Sequence, residues 1–408
     1  MGIIGIMKKT LYGLIFLFLF QLTIPDIGIA QTADSLRYHI AVFLPLYLDS
    51  AFDASGAYRF DQTFPKYLNP GLEFYEGLQM AMDSLQKMKL PLDVTIYDTR
   101  SATRSLRQIV DDTAFSKMQL IVGHVNVAEL RLLAAAAKYR DIPFVNVNFP
   151  NDGGVTGNPE LVILNSTLRT HCESIYKFIQ RNWATSNIYY VRRSTADDDR
   201  LRSYFAEIEK NTASVPLKMK LVTVTNNLDP SQLFPRLDSN SKTVIIAGSL
   251  DENFGKALCA KLAPVSKTYP MKMIGMPTWD AINDFNSTAY TDLEIYYTSP
   301  FYINPSDSLV ISIQQLYKNR FYSRPSDMVY RGYETIMHFG QLLVAQKGHL
   351  DGSIGIRKFK VFDDFDIEPV FTDKSNANST GQTLTLQYLE NKKVYFIKKV
   401  NGNVVAVY

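Results

Sequence analysis

The sequence predicts an α/β protein of two doubly wound parallel-sheet lobes, and three features carry that expectation. Apolar strands and amphipathic helices alternate from Tyr38 to Tyr297; most of the strands are apolar on both faces; and the alternation starts afresh beyond about Arg169. Strands buried on both faces belong to parallel sheets, because each crossover lays a helix over one face or the other.

The first unit opens on the strand Tyr38 to Leu44, followed by a loop and a helix from Gly71 to Lys87. Leu92 to Tyr97 is the next strand, and Ser101 starts the helix after it. Leu120-Ile121-Val122-Gly123 is a short buried strand. Asn126 opens a helix that runs through Leu132, Leu133 and an alanine run to Lys138, and Pro143 to Val147 is a further strand. The second unit reads as strand Asn187 to Val191, helix Asp197 to Lys210, strand Met219 to Val224 and a short helix from Pro230 to Leu237. Strand Thr243 to Ala247, helix Glu252 to Leu262 and strands Met271 to Gly275 and Leu293 to Tyr297 complete it. No internal sequence repeat is visible. Two helices follow, Ser306 to Arg320 and Met328 to Gln346. The chain then changes to antiparallel β: Thr383 to Leu389, Val394 to Lys399 and Val404 to Tyr408, joined by the turn-prone pairs Glu390-Asn391 and Asn401-Gly402. Such a tail implies return crossings between the lobes.

Residues 1–30 read as a secretory signal peptide rather than as part of the fold. Lys8 and Lys9 precede an apolar run from Leu11 to Ile24, and Gly28-Ile29-Ala30 places small residues at a cleavage site. The apolar run is short for a ~30 Å hydrocarbon core, and no cysteine near the cut offers a lipid anchor. The mature chain is therefore expected without a membrane anchor. Hydrophobic content of 46% is ample for two cores, and a net charge of +3 lacks the basic excess that nucleic acid demands. Cys172 and Cys259 each sit in an amphipathic helical segment and read as buried free thiols in preference to a bridge.

This order of elements resembles the type I periplasmic binding proteins, especially the branched-chain amino-acid receptors of ABC importers. The resemblance rests on Leu120 to Val147 (LIVGHVNVAELRLLAAAAKYRDIPFVNV), which looks like that family's strand, glycine, polar tip, alanine-rich helix, "IP" and strand. Gly71 to Leu90 resembles its first helix, Asp98-Thr99 its second unit, and Pro325 to Leu343 its late helix, with Tyr333-Glu334-Thr335 where the family has Tyr-Asp-Ala. The resemblance implies one lobe of residues 35–168 plus 300–350, a second of 169–299 plus 351–408, and a three-segment hinge at Leu168, Ser299 and Asp351. It further implies export to the periplasm of a Gram-negative bacterium, a small polar ligand, no cofactor, and either an inner-membrane permease or an envelope protein as partner. An envelope scaffold of this fold that has lost its small ligand, of the peptidoglycan-synthase-activator kind, is the other function implied.

In open α/β sheets, ligands sit beyond the carboxyl ends of the strands, where helix N-termini offer unpaired N–H groups. That rule selects Tyr47, Asn126, Asn148, Arg193, Ser249, Asp251 and Trp279. Tyr47 and Trp279 could stack on a ligand and Asp251 pair an ammonium. Each has a plainer role available: Asn126 with Glu129 is an ordinary capping box, Asp251 a helix start, Trp279 a packing residue, and Arg193 beside Asp197, Asp198 and Asp199 a solvated charge cluster. Where the family places hydroxyls for a ligand carboxylate, this chain has Asn126-Val127-Ala128. The aromatic-rich stretch from Ser50 to Asn69 is long enough to cover the cleft or meet a partner.

Catalytic patterns are missing from the sequence. Its five histidines show no metal spacing, and there is no nucleophile elbow and no Walker loop. Gly153-Gly154-Val155-Thr156-Gly157 precedes a strand and reads as a flexible loop. Binding, not catalysis, is the expected activity.

Overall fold

The computed structural model describes residues 37–407 except 62, 226–227, 230–231, 363, 372–383 and 401–402, so the expected signal peptide and the Asn401-Gly402 turn lie outside the described residues. Two sheets of seven strands form the framework, and both have the same strand order. In the first lobe the parallel strands are β1 (Tyr38–Leu44), β2 (Leu92–Asp98), β3 (Leu120–Gly123), β4 (Phe144–Asn146) and β5 (Leu161–Ile163), arranged β2-β1-β3-β4-β5. In the second they are β6 (Asn187–Arg192), β7 (Met219–Thr223), β8 (Thr243–Ala247), β9 (Met271–Ile274) and β10 (Glu294–Ser299), arranged β7-β6-β8-β9-β10.

The doubly apolar strands are explained by helices on both faces. Ile40, Val42 and Leu44 of β1 point into a core with α1 (Asn69–Lys87), whereas Ala41 and Phe43 point into a separate core with α2 (Leu106–Asp111) and α3 (Val127–Arg140). In the second lobe, α4 (Leu168–Trp183) and α5 (Ala196–Asn211) cover one face and α6 (Glu252–Leu262) the other. Each fully buried side chain of this kind contributes roughly 1.5–3 kcal/mol. Cys172 on α4 and Cys259 on α6 lie in the cores on opposite faces of the second sheet, and both are free. Helix α2 starts later than Ser101. Ser101 bonds Asp49 at 3.0 Å, while Ser105 and Gln108 form the reciprocal capping box that opens the helix.

The chain crosses between lobes three times, always at the carboxyl ends of strands. Residues 164–167 lead from β5 to α4. From β10 the chain returns to the first lobe, where α7 (Ser308–Phe321) and α8 (Asp327–Ala345) pack against α1. Strand β11 (Ile367–Phe371) then pairs antiparallel with β12 (Leu386–Asn391), which joins β5 in the first sheet. Residues 392–394 cross to β13 (Tyr395–Val400), which with β14 (Asn403–Val407) extends the second sheet.

This path corrects two expectations. Glu390-Asn391 is not a hairpin turn but the end of a first-lobe strand, so residues 351–391 do not belong to the second lobe. The third crossing therefore lies at 392–394 and not at Asp351, whereas Leu168 and Ser299 do flank crossings. The physical reason is a buried polar knot. Glu390 accepts hydrogen bonds from the Thr167 amide (2.8 Å), the Thr170 hydroxyl (2.6 Å) and Lys392 (2.6 Å), and Asn391 donates to the Leu164 carbonyl (3.1 Å). Ser166 donates to the carbonyls of Asn391 (2.7 Å) and Lys393 (2.8 Å), lashing the first crossing to the third.

Asp351 instead lies near Glu160 and Asp141, at the amino ends of β4 and β5. Burial, reinforced by those two carboxylates, raises the Glu160 carboxyl from 4.5 to about 7. A folded-state pKa above the unfolded one contributes stability below pH ~4.5 that is lost as pH rises through ~7. Glu160→Gln is therefore expected to raise Tm at pH 8 and to leave it unchanged at pH 4. A gain of equal size at both pH values would contradict the assignment.

Candidate functional site

Strand order reverses between β1 and β3 in one lobe and between β6 and β8 in the other, and these switch points are where doubly wound sheets receive ligands. On the first lobe, Asp98 at the end of β2 accepts from the amides of Leu46 (3.0 Å), Tyr47 (3.1 Å) and Leu48 (2.8 Å). That clamp holds Tyr47 in the left-handed region (φ 56°, ψ 36°), with its ring edge-on to Tyr67 at 4.9 Å and the Arg100 guanidinium 5.6 Å away. Arg100 also pairs with Glu129 at 3.2 Å. Asn126 caps α3, accepting from the amides of Ala128 and Glu129. Asn148 closes a two-way bridge to Val125, accepting from its amide (2.7 Å) and donating to its carbonyl (2.9 Å). Both asparagines thus shape the tip of the lobe. Between them, His124 is held near pKa 4 by burial, with Arg331 and Arg100 opposing its charge, so the imidazole is neutral.

On the second lobe the structure brings Arg193, Ser249 and Asp251 together. The guanidinium donates to Asp251 (2.8 Å), Ser249 (2.9 Å) and Asp198 (3.3 Å), and lies 5.0 Å from the Phe254 ring centre. Asp198 is only 1% exposed, so this is not the solvated cluster that the acidic run suggests. Arg193→Ala leaves the buried Asp198 carboxylate without its counter-charge. A loss of about 3 kcal/mol in urea unfolding is expected; a loss under ~0.5 kcal/mol would mean that the cluster behaves as an ordinary surface pair.

Trp279 does not face the cleft. It is fully buried in the second lobe, with its indole against Gly255 and Gly275. Those two glycines are the reason: a Cβ would lie 2.5 Å from the ring at Gly255 and 1.9 Å from it at Gly275.

A cavity of about 260 Å³ opens between the lobes beside the second crossing. The second lobe contributes Asp280, Tyr297, Ser299 and Ile397; the first contributes Asp327, Arg331 and Glu334 from α8; and Phe301, Tyr302 and Ile303 of the crossing line its side. The Arg331 guanidinium stacks over Phe301 at 3.9 Å, and its Nε is sealed from solvent with no hydrogen-bond partner among the described residues. Burial and the neighbouring Asp280, to which it donates, push the Tyr297 phenol up. Sequence reasoning missed Asp280, which directly follows the Trp279 it selected, and missed Asp327 and Arg331 because they lie on a helix that the strand-tip rule does not cover. The available signal was a lone arginine in the largely apolar stretch Met328-Val329-Tyr330-Arg331-Gly332-Tyr333. Among the described residues, no group of three or more His, Cys, Asp or Glu side chains could hold a metal ion.

No protein-family model and no curated protein matches this sequence. Solved structures do resemble it. A protein from Rhodospirillum rubrum assigned as a branched-chain amino acid ABC transporter superposes with a TM-score of 0.62 at 12% identity, covering 91% of this chain and 100% of that one. An ABC transporter substrate-binding protein from Desulfitobacterium hafniense, in complex with Leu, gives 0.54 at 13% identity, over 91% and 100% of the two chains. LpoA of Haemophilus influenzae gives 0.51 at 13%, covering 93% of this chain and 60% of that one. At these identities the likeness establishes the fold: the chain has the two-lobed α/β fold of the type I periplasmic binding proteins. No described helix is long and apolar enough to cross a membrane.

Proposed function

We propose that this chain is an exported solute-binding protein that closes its two lobes on a small polar, amino-acid-like ligand and presents it to an ABC-type importer. The observation that carries this reading is the cavity lined from both lobes at the second crossing. At about 260 Å³ it falls below the ~300–1,000 Å³ of drug-sized sites and suits a metabolite. Three crossings at strand ends allow hinge closure around such a ligand. Tyr47 and the Arg193–Ser249–Asp251 cluster would form the rims of the closing cleft, held in place by their own hydrogen bonds. Binding rather than catalysis is the activity, as the substrate-binding proteins of this fold suggest.

A scaffold without a small ligand is favoured by one feature, the insertion after β1. It exposes Leu48 (48%), Phe52 (41%), Phe64 (49%) and Tyr67 (46%) on an ordered turn in which Phe52 bridges Tyr58. Large apolar side chains exposed together on one insertion are the kind of surface that protein contacts use. The likeness to LpoA is in keeping with that alternative but reaches no further than the fold.

Thermal unfolding against a panel of amino acids and other small polar compounds separates the two. A compound at a hundred times its Kd should add ~2.7 kcal/mol of stability. If no compound shifts the transition, the receptor reading fails and the scaffold stands.

A further inference from the structure

Resting on the receptor reading, we propose that the cavity selects a cation: Asp327 on α8 and Asp280 on the facing lobe clamp an ammonium or guanidinium group of the ligand between them. Both side chains are exposed to the cavity, one from each wall. Burial raises the proton affinity of Asp327, Arg331 opposes this, and Asp280 adds to it across the gap. Two like charges on opposed walls resist closure, and a cation between them turns that repulsion into attraction from both sides.

Two cations lie near these carboxylates. Arg331, one helical turn beyond Asp327, stacks on Phe301 and is stabilised in its buried place by the charges of Asp327, Asp280 and Glu334. Lys399, the other base near Asp280, donates to the Ile282 carbonyl (3.3 Å) and to Asn286 (3.2 Å). Asp280 and Asp327 thus set two carboxylates against the one guanidinium of the lining. Phe301, Ile303 and Ile397 supply apolar surface for the aliphatic stem that such ligands carry. Basic amino acids and simple diamines are both within the class.

The test is titration calorimetry of wild type, Asp280→Asn and Asp327→Asn with putrescine, L-arginine, L-lysine, L-leucine and L-glutamate. Binding is expected for at least one of the three cationic probes, weakened at least about tenfold by either substitution, since each removes one partner of a charged hydrogen bond. Asp280→Glu should restore part of the affinity. If a cation binds equally well to all variants, or if only L-leucine or L-glutamate binds, the cation clamp is wrong and the receptor reading survives. If none of the five probes binds, the clamp is wrong, and the broader panel described above decides the receptor reading separately.

Discussion

Gly332→Val is expected to cost about 3 kcal/mol or more in urea unfolding, and Gly77→Val a similar amount. Helices α1 and α8, each 19 residues long, cross with backbone against backbone. A Cβ at Gly332 would lie 2.2 Å from the Phe74 carbonyl oxygen, and one at Gly77 would lie 2.0 Å from that of Val329. Neither obstacle can rotate away, because both are main chain inside a helix, so the whole helix pair must separate. Separation strips contacts from a core that includes Phe74, Leu78, Val329 and Ile336. Gly340→Ala on the same helix is the control. Its Cβ would meet only the side-chain tips of Leu92 (3.1 Å) and Leu85 (3.3 Å), and alanine gains ~1 kcal/mol of helix propensity there. A change within ~1 kcal/mol of zero is expected at Gly340. Were Gly332→Val as stable as Gly340→Ala, the close crossing would not exist in solution. The crossing also sets the shape of the cavity, because α8 carries Asp327 and Arg331 in its first turns and any shift of the helix moves that wall.

What the sequence discloses and what it conceals follow from the range of the forces involved. Strand β1, helix α3 and helix α8 lie within two residues of their expected limits, because hydrophobic period and capping chemistry are written in neighbouring residues. The Asn126–Glu129 capping box is a case in point, formed as its spacing implies. Glu390-Asn391 misleads for the opposite reason. Its polar pair looks like a turn, yet its partners Thr167, Thr170 and Leu164 stand more than 200 positions away. A local turn signal is thus overruled by distant partners, and β12 joins the first sheet, where the resemblance implies the second lobe for residues 351–391. The acidic run at Asp197 to Asp199 shows the same limit. Charge density suggests solvent, but Arg193 draws Asp198 inside, and only the register of β6 beside β8 brings Ser249 and Asp251 to the same guanidinium.

Trp279→Ala is expected to lose about 3–5 kcal/mol, the range for a fully buried large aromatic, because the site cannot collapse. The indole is 0% exposed, tilted against Phe285 at 5.1 Å, and seated between two glycines whose backbones belong to α6 and to the chain just beyond β9. Both segments are tied into the sheet, so the void persists after truncation. Trp279→Phe should cost less than its lost area suggests. The indole Nε1 is buried without a hydrogen-bond partner, and removing it recovers a desolvation penalty of about 1–3 kcal/mol. A ligand-stacking tryptophan would behave in the reverse way, giving a stable protein with weakened binding. Fluorescence distinguishes the two directly, since Trp183 is the other tryptophan and can be replaced by phenylalanine. In that background Trp279 should emit in the blue, resist acrylamide, and stay indifferent to any ligand that stabilises the fold. Quenching that ligand relieves would instead put the ring in the cleft. Asp280 follows Trp279 in the same short turn, Pro277–Ala281, so the buried ring is what fixes the carboxylate on the cavity wall. Within the proposed clamp, its contribution would be positional, acting through the residue after it without touching the ligand.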